Sequence, residues 1–266
     1  MRALLTPVWV RIEEFPSTRT MVYGLSQAAE QLNRAHEAGA VQQDIRAGNA
    51  LLIENCLEPE RLVGFVVDCD YAALSEEALR VLRDVVKPRP HRHFLDQDRR
   101  TKGSTGTPSF MALAMLQKNP TAKHALGHDL ESLYWLLIWL CLRHTEHRLG
   151  PRRFSGLFNT VCLFVMRSSS LFREEDYAPS GSPWWSLTSD FQDLVMAQNL
   201  SGKPPTALKP SILPGPRHIL YSDVQSLFDQ ALALKTWPVG GRAPPCKLPN
   251  DGDKRAELDL INDRRG

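Results

Sequence analysis

The sequence predicts an α+β fold, mainly α, in which amphipathic helices surround a buried central helix and one small β-hairpin. Three observations lead there. Apolar residues recur at helical spacing in four separate segments. Two short apolar runs, Ala50 to Ile53 and Leu62 to Val67, flank a polar stretch containing Pro59. The run LYWLLIWLCL, Leu133 to Leu142, is apolar on nearly every face, the pattern of a helix enclosed by other elements.

Taken in order, Leu25, Ala28, Ala29, Leu32 and Ala35 line one face of a helix over Val22 to His36, and Gly39 stands where a left-handed cap stops it. The polar loop AVQQDIRAGN follows and leads into the first apolar run, predicted to pair antiparallel with the second as a hairpin. Ser75 to Val86 gives a helix on Leu79, Leu82, Val85 and Val86, ended by Lys87-Pro88 because proline cannot continue it. HDLESLYWLLIWLCLRH begins with Asp129 in the N-cap position and forms the centre of the fold. Two further helices are expected, at Asp190 to Gln198 on Phe191, Leu194 and Val195, and at Asp223 to Leu234 on Val224, Leu227, Phe228 and Ala231. Ser201 to Arg217 carries five prolines and is a loop. Beyond Trp237 the chain turns to Gly, Pro and charge, so the organisation is one domain over 1–235 followed by a disordered tail over 236–266.

Composition narrows the function classes. The 266 residues are 42% hydrophobic and 23% charged, as in an ordinary globular protein. A net charge of +2 gives no whole-chain reason to expect nucleic acid or a membrane as partner. Five cysteines without a C-x-x-C pair imply neither a disulfide framework nor a zinc site. The start, MRALLTPVWVRIEEF, reaches Glu13 and Glu14 without a sustained apolar stretch, unlike a signal or transit peptide. The one intense apolar run is too short to cross a bilayer of about 30 Å. An intracellular protein, of the cytoplasm or nucleus, is the expectation.

The chemistry is concentrated in QQDIRAGNALLI and LVGFVVDCDYA. If the two apolar runs pair antiparallel, the start of the first lies beside the end of the second, so Asn49 and Asp68 become neighbours. Asp44 is close by in the loop. Hard oxygen ligands that incompletely surround a divalent ion, leaving positions for phosphate oxygens and water, suit Mg²⁺–nucleotide chemistry. Asp70 follows Asp68 by two and, if the strand geometry persists, faces the same side. Asp and Asn are also favoured in turns and caps for local reasons. The ordered set of helix, D-x-x-x-x-N, apolar hairpin and Asp directly after the second strand is what sets this stretch apart from turn chemistry.

With those residues in view, the chain resembles the C-terminal lobe of a protein kinase, and more narrowly the fungal-type protein-kinase-like family. That family's catalytic loop, His-Arg-Asp then four residues then Asn, is matched by Gln42-Gln43-Asp44 and Asn49, and its Asp-Phe-Gly metal motif by Asp68-Cys69-Asp70. TGTPSFMA at Thr105 to Ala112 resembles the end of an activation segment, within an insertion at about 70–110. HDLES at His128 to Ser132 resembles the central-helix motif, and TPVWVRIEEF at Thr6 to Phe15 the approach to the interlobe hinge. The resemblance spans roughly residues 5–145. It implies ATP and Mg²⁺ as cofactors and transfer of the γ-phosphoryl group to Ser or Thr of a protein substrate. In that scheme Asp44 orients the substrate hydroxyl and accepts its proton, while Asn49 and Asp68, with Asp70 beside them, hold Mg²⁺ against the nucleotide phosphates. Arg46 stands where serine/threonine kinases often have a phosphate-contacting lysine and would bring positive charge to the transferring group; its plain reading is a solvent-exposed loop arginine. Asp129 caps the central helix and braces the catalytic loop.

The departures are specific. No G-x-G-x-x-G occurs, and the first lysine of the chain is Lys87, so the N-terminal lobe and its nucleotide-gripping lysine are expected to be missing and the nucleotide site incomplete. Gln42 and Gln43 replace the catalytic-loop His and Arg, and Ala114 stands at the Ala-Pro-Glu glutamate. Two rivals follow. A small-molecule phosphotransferase resembling aminoglycoside and choline kinases matches the Asp68-x-Asp70 pattern but has no counterpart of TGTPSFM or HDLES. A noncatalytic pseudokinase serving as a binding module matches the absent lysine. Lys87 to Lys102, with six basic residues against Asp96 and Asp98, reads as a solvated insertion or as a docking surface for an acidic partner. Ser104, Thr105 and Thr107 read as ordinary turn residues or phosphorylation sites, and Trp184 and Trp185 as a packed core pair ahead of a ligand anchor.

Overall fold

Polar caps and one left-handed glycine set the bounds of the first long helix in the computed structural model, which describes residues 9–53, 64–85, 107–116, 123–144, 158, 183–199 and 218–239. Helix α1 spans Thr18–Glu37 and starts there because Ser17, extended at φ −147, accepts the Thr20 amide on its hydroxyl. The polar first turn Thr18-Arg19-Thr20 carries no apolar stripe, so periodicity alone places the start at Val22. At the other end the Ala38 and Gly39 amides donate to the carbonyls of Arg34 and His36, and Gly39 has φ +84, the left-handed stop expected of it.

The paired apolar runs form a sheet, as predicted. Strand β3, Ala50–Ile53, pairs antiparallel with β4, Gly64–Val66, with Ala50 opposite Val66 and Leu52 opposite Gly64. A third strand escaped the sequence reading: β1, Trp9–Arg11, adds to the free edge of β3, giving the order β1-β3-β4. At three residues it is too short to show an alternation. A second pair, β2 at Ala40–Val41 and β5 at Ala73–Leu74, ties the residue after Gly39 to the stretch beyond Asp68. Helix α1 lies so close on β4 that a Cβ built on Gly64 would sit 2.4 Å from the Gly24 carbonyl oxygen.

Helix α2 is Glu76–Val85 and α3 is Leu113–Leu116. The central helix, α4, runs from Leu126 to His144 and packs against α1, against α5 at Pro183–Asn199 and against α6 at Tyr221–Ala233. Leu130, Leu133, Leu136, Leu137, Leu140 and Cys141 are all buried, so it is enclosed on every side as its composition requires. Its start corrects the prediction. Asp129 lies inside the first turn, and as shown below its carboxylate caps a loop rather than its own helix. Helix α5 begins ahead of Asp190 with Pro183, a residue suited to a first helical position, and buries Trp184 and Leu187 in the core.

The chain is therefore mainly helical with a small antiparallel sheet, an α+β arrangement. The basic stretch 87–102, the proline-rich loop 201–217 and the tail from residue 240 lie outside the described residues. Among the described residues no helix is long and apolar enough to cross a membrane.

Candidate active site

The loop between β2 and β3 is held from below by the central helix. Asp129, buried at the start of α4, accepts the backbone amides of Gln42 and Gln43 on its two carboxylate oxygens at 2.9 and 3.0 Å, and His124 Nε2 lies 2.8 Å from the same group. Gln43 adopts φ +69, a strained conformation held in place by the grip of Asp129 on its own amide and on that of Gln42. The expected brace between Asp129 and the catalytic-loop stretch is thus present.

A second tie joins the loop to the end of β4. The Gln42 side-chain amide donates to the carbonyls of Val67 at 3.2 Å and Asp68 at 2.7 Å, and the Val67 amide donates to the Asn49 carbonyl at 2.8 Å. Asp68 takes φ +65, well outside strand geometry. The alternation that would carry Asp68 and Asp70 to one side therefore stops at Val66. Asp70 is exposed, and its backbone amide reaches Asp68 Oδ1 at 3.4 Å.

Asp44, Arg46, Asn49 and Asp68 meet at the mouth of this loop. Asp44 Oδ2 accepts the Arg46 Nε hydrogen at 3.0 Å and the Asn49 amide at 3.1 Å, and Asn49 also donates to the Asp44 carbonyl at 3.0 Å. Arg46 Nη2 extends to Asp68 Oδ2 at 3.7 Å, so one guanidinium bridges two carboxylates. Arg46 is therefore not a free loop arginine, although its side chain stays 38% exposed. Asp44 Oδ1 accepts both the backbone amide of Thr107, at 2.9 Å, and its hydroxyl, at 3.0 Å. Asp44 and Asn49 are buried, whereas the Asp68 side chain keeps 36% of its surface exposed, which gives the group one solvent-facing carboxylate.

The segment after Thr107 is anchored separately. Leu113 donates its amide to Glu131 Oε1 at 2.7 Å, and Glu131, wholly buried on α4, also accepts from Gln198 at 2.8 Å, Asn199 at 3.0 Å and Trp135 at 3.4 Å. Burial pushes the Glu131 carboxyl above its usual range, outweighing these donors. A carboxylate from the central helix thus holds the segment that contains Ala114. Nearby, burial and the facing His124 push the His128 imidazole down to about 4. The exposed Cys69 thiol is pushed up by partial desolvation, then by Asp68 and Asp70.

Residues 1–141, a little over half of the chain, match the family model described as fungal protein kinase. The chain belongs to that family. No curated protein matches it. As a fungal protein kinase family member, the chain shows where sequence reasoning fell short: neither the Gln42 link nor the Glu131 anchor was anticipated. The signal for the first was a polar residue two positions before Asp44 that also had to be buried. The signal for the second was a glutamate inside the most apolar stretch of the chain, a position that demands buried partners.

Among the described residues no group of three or more His, Cys, Asp or Glu is placed so as to hold a metal ion by itself. The donor set nevertheless fits a hard cation. Two carboxylates already converge on one positive group, and an amide side chain stands beside them, which leaves the remaining positions to phosphate oxygens and water.

Proposed function

We propose that this fungal protein kinase family chain carries the hydroxyl-activating and metal-holding part of a kinase site of the C-terminal-lobe type, acting inside the cell on the γ-phosphoryl group of ATP and a Ser or Thr of a protein. The observation that carries the reading is the meeting of Asp44, Asn49 and Asp68 at one loop mouth, where Arg46 bridges the two carboxylates and Asn49 donates to Asp44, on a loop and a strand end that the central helix and Gln42 hold together. Asp44 is the group that orients the substrate hydroxyl and takes its proton. Its four donors keep the carboxylate fixed, and the hydroxyl of a substrate enters by replacing one of them. Asn49 and Asp68 are the residues that would hold Mg²⁺, whose chemistry is to neutralise charge developing on the phosphate oxygens. Asp70, exposed next to them, is the outer member of the set. Arg46 supplies the remaining positive charge to the transferred group.

The contact between Thr107 and Asp44 favours a protein over a small molecule as acceptor. It fastens the segment ending at Leu116 beside the proposed base, where an extended peptide would find a backbone to lie against. The test is transfer of label from radiolabelled ATP to a generic protein substrate by the wild-type chain and by Asp68→Ala. Loss of transfer in the variant is expected. Equal transfer by both removes Asp68 from the mechanism, and nucleotide binding by a wild-type chain that transfers nothing turns the assignment to a noncatalytic binding module.

A further inference from the structure

We propose, resting on the kinase reading above, that His124 is a positioning residue for Asp44: it donates from Nε2 to Asp129 and so fixes the carboxylate that carries the peptides leading into Asp44. Asp129 is buried, and its two oxygens accept the amides of Gln42 and Gln43 at 2.9 and 3.0 Å. Both oxygens thus act as acceptors, so the hydrogen of the 2.8 Å contact with His124 Nε2 belongs to the imidazole. The donor is itself built in. The His124 side chain is 10% exposed, and its ring meets that of His128 edge to face with centroids 5.4 Å apart. His128 is not available for the same task, because its Nδ1 accepts the Ala125 amide at 3.0 Å. Burial, then the neighbouring His124, keep it neutral down to about 4, with Asp129 opposing. Among the described residues His124 is the ion-pair partner of Asp129.

The consequence is geometric. A carboxylate that carries two loop amides holds the loop only as firmly as it is held itself, and a further donor from a separate stretch of chain supplies that hold. Gln43, at φ +69, is the peptide most sensitive to slack, since a strained conformation persists only while its surroundings over-determine it. Asp44 follows directly, so relaxation at Gln43 turns the carboxylate assigned as the base. His124 stands between α3 and α4, beyond the segment that Asp44 holds at Thr107 and Glu131 holds at Leu113. The chain from Thr107 to α4 and the loop that carries the base are therefore tied twice, directly at Asp44 and indirectly through Asp129.

The experiment compares the full wild-type chain with His124→Leu, which removes the donor, and His124→Gln, whose side-chain amide can donate in place of Nε2. Amide hydrogen exchange at Gln42 and Gln43 is read against the amides of α1, and label transfer from ATP is resolved into kcat and KM. His124→Leu is expected to speed exchange at Gln42 and Gln43 by about tenfold, the size of one hydrogen bond to a charged group, with α1 unchanged. Its kcat should fall by a similar factor while KM for ATP moves less, and His124→Gln should recover most of both losses. Unchanged exchange in His124→Leu overturns the proposal, as does faster exchange with an unchanged kcat, or a Gln variant as impaired as the Leu variant. The nitrogen resonances of wild-type His124 give a reading that needs no variant: hydrogen on Nε2 is expected, and a bare Nε2 overturns the assignment. A wild-type chain that transfers no label sinks the kinase reading, and with it the positioning role, even where exchange follows the donor; transfer by a chain whose Gln42 and Gln43 exchange ignores His124→Leu sinks the role of His124 alone.

Discussion

Asp44 and Glu131 are both buried carboxylates with four hydrogen-bond donors, yet they are built for different work. Asp44 receives one donor from a guanidinium and stands next to Asp68, which is partly open to solvent. Glu131 receives only neutral donors, from Leu113, Trp135, Gln198 and Asn199, in a site closed to water. A carboxylate with a cation at its side and a solvent-facing neighbour can exchange partners with a substrate. One surrounded by fixed amides in the core is a tie, and its partners cannot be exchanged without opening the core. Both hold the same segment, Asp44 at Thr107 and Glu131 at Leu113.

The largest expected effect is on chemistry at the first carboxylate. Asp44→Asn should lower phosphoryl transfer by about 100-fold or more, the range of a lost general base, with little change in melting temperature. A variant that loses stability and keeps its rate would make Asp44 the structural member of the pair and break the contrast. Glu131→Ala should show the opposite pattern, costing about 3 kcal/mol of stability in urea unfolding because several buried donors lose their acceptor at once. A smaller loss, about 1–2 kcal/mol, is expected for Gln42→Leu, which strips the amide donors from the Val67 and Asp68 carbonyls. Because Asp68 is then freed from its positive φ, Mn²⁺–ATP binding should weaken in that variant as well. Unaltered Mn²⁺–ATP affinity would show that Asp68 needs no such support.

Two pH experiments sharpen the comparison further. Burial raises the Glu131 carboxyl above its ordinary value of 4.5, so the folded chain holds that proton more tightly than the unfolded one. Its contribution to stability therefore falls as pH rises from about 4.5 toward the folded value, and is fully lost above it. The melting temperature of wild type minus that of Glu131→Gln should decline over that range; a difference independent of pH contradicts the shift. The smallest effect concerns His128, held neutral down to about 4 against an ordinary 6.5 by burial and by His124, with Asp129 opposing. Here the unfolded chain binds the extra proton, so the contribution is whole above pH 6.5 and is lost as pH falls toward 4. His128→Asn, which keeps an acceptor for the Ala125 amide, should lose less stability than wild type over that interval.

Much of the fold was legible because its helices are periodic. Leu25, Ala28, Ala29 and Leu32 are all buried on α1, and Gly39 stops that helix with the positive φ its position suggested. Helix starts were less legible. Thr18-Arg19-Thr20 and Pro183 begin helices without extending the apolar stripe, and the Asp129 side chain, which reads as a cap, turns away to the Gln42 and Gln43 amides. Strand β1 and the β2–β5 pair were invisible for a related reason: two or three residues carry no period, and their pairing is decided by what the flanking elements bring beside them.

The sequence by itself determined the residue types at the site and their order along the chain, because spacing along a loop and two short strands limits which side chains can meet. It also determined that a central helix would be buried, since ten consecutive mostly apolar residues have no polar face to offer to water. The tertiary structure alone decided how charge is shared among those residues. Arg46 reaches both Asp44 and Asp68, Thr107 arrives from 63 positions away to cover Asp44, and Glu131 finds amides on two other elements. Such pairings depend on where separate elements come to rest in space, and electrostatic and hydrogen-bond energies fall off within a few ångströms, so no local pattern encodes them.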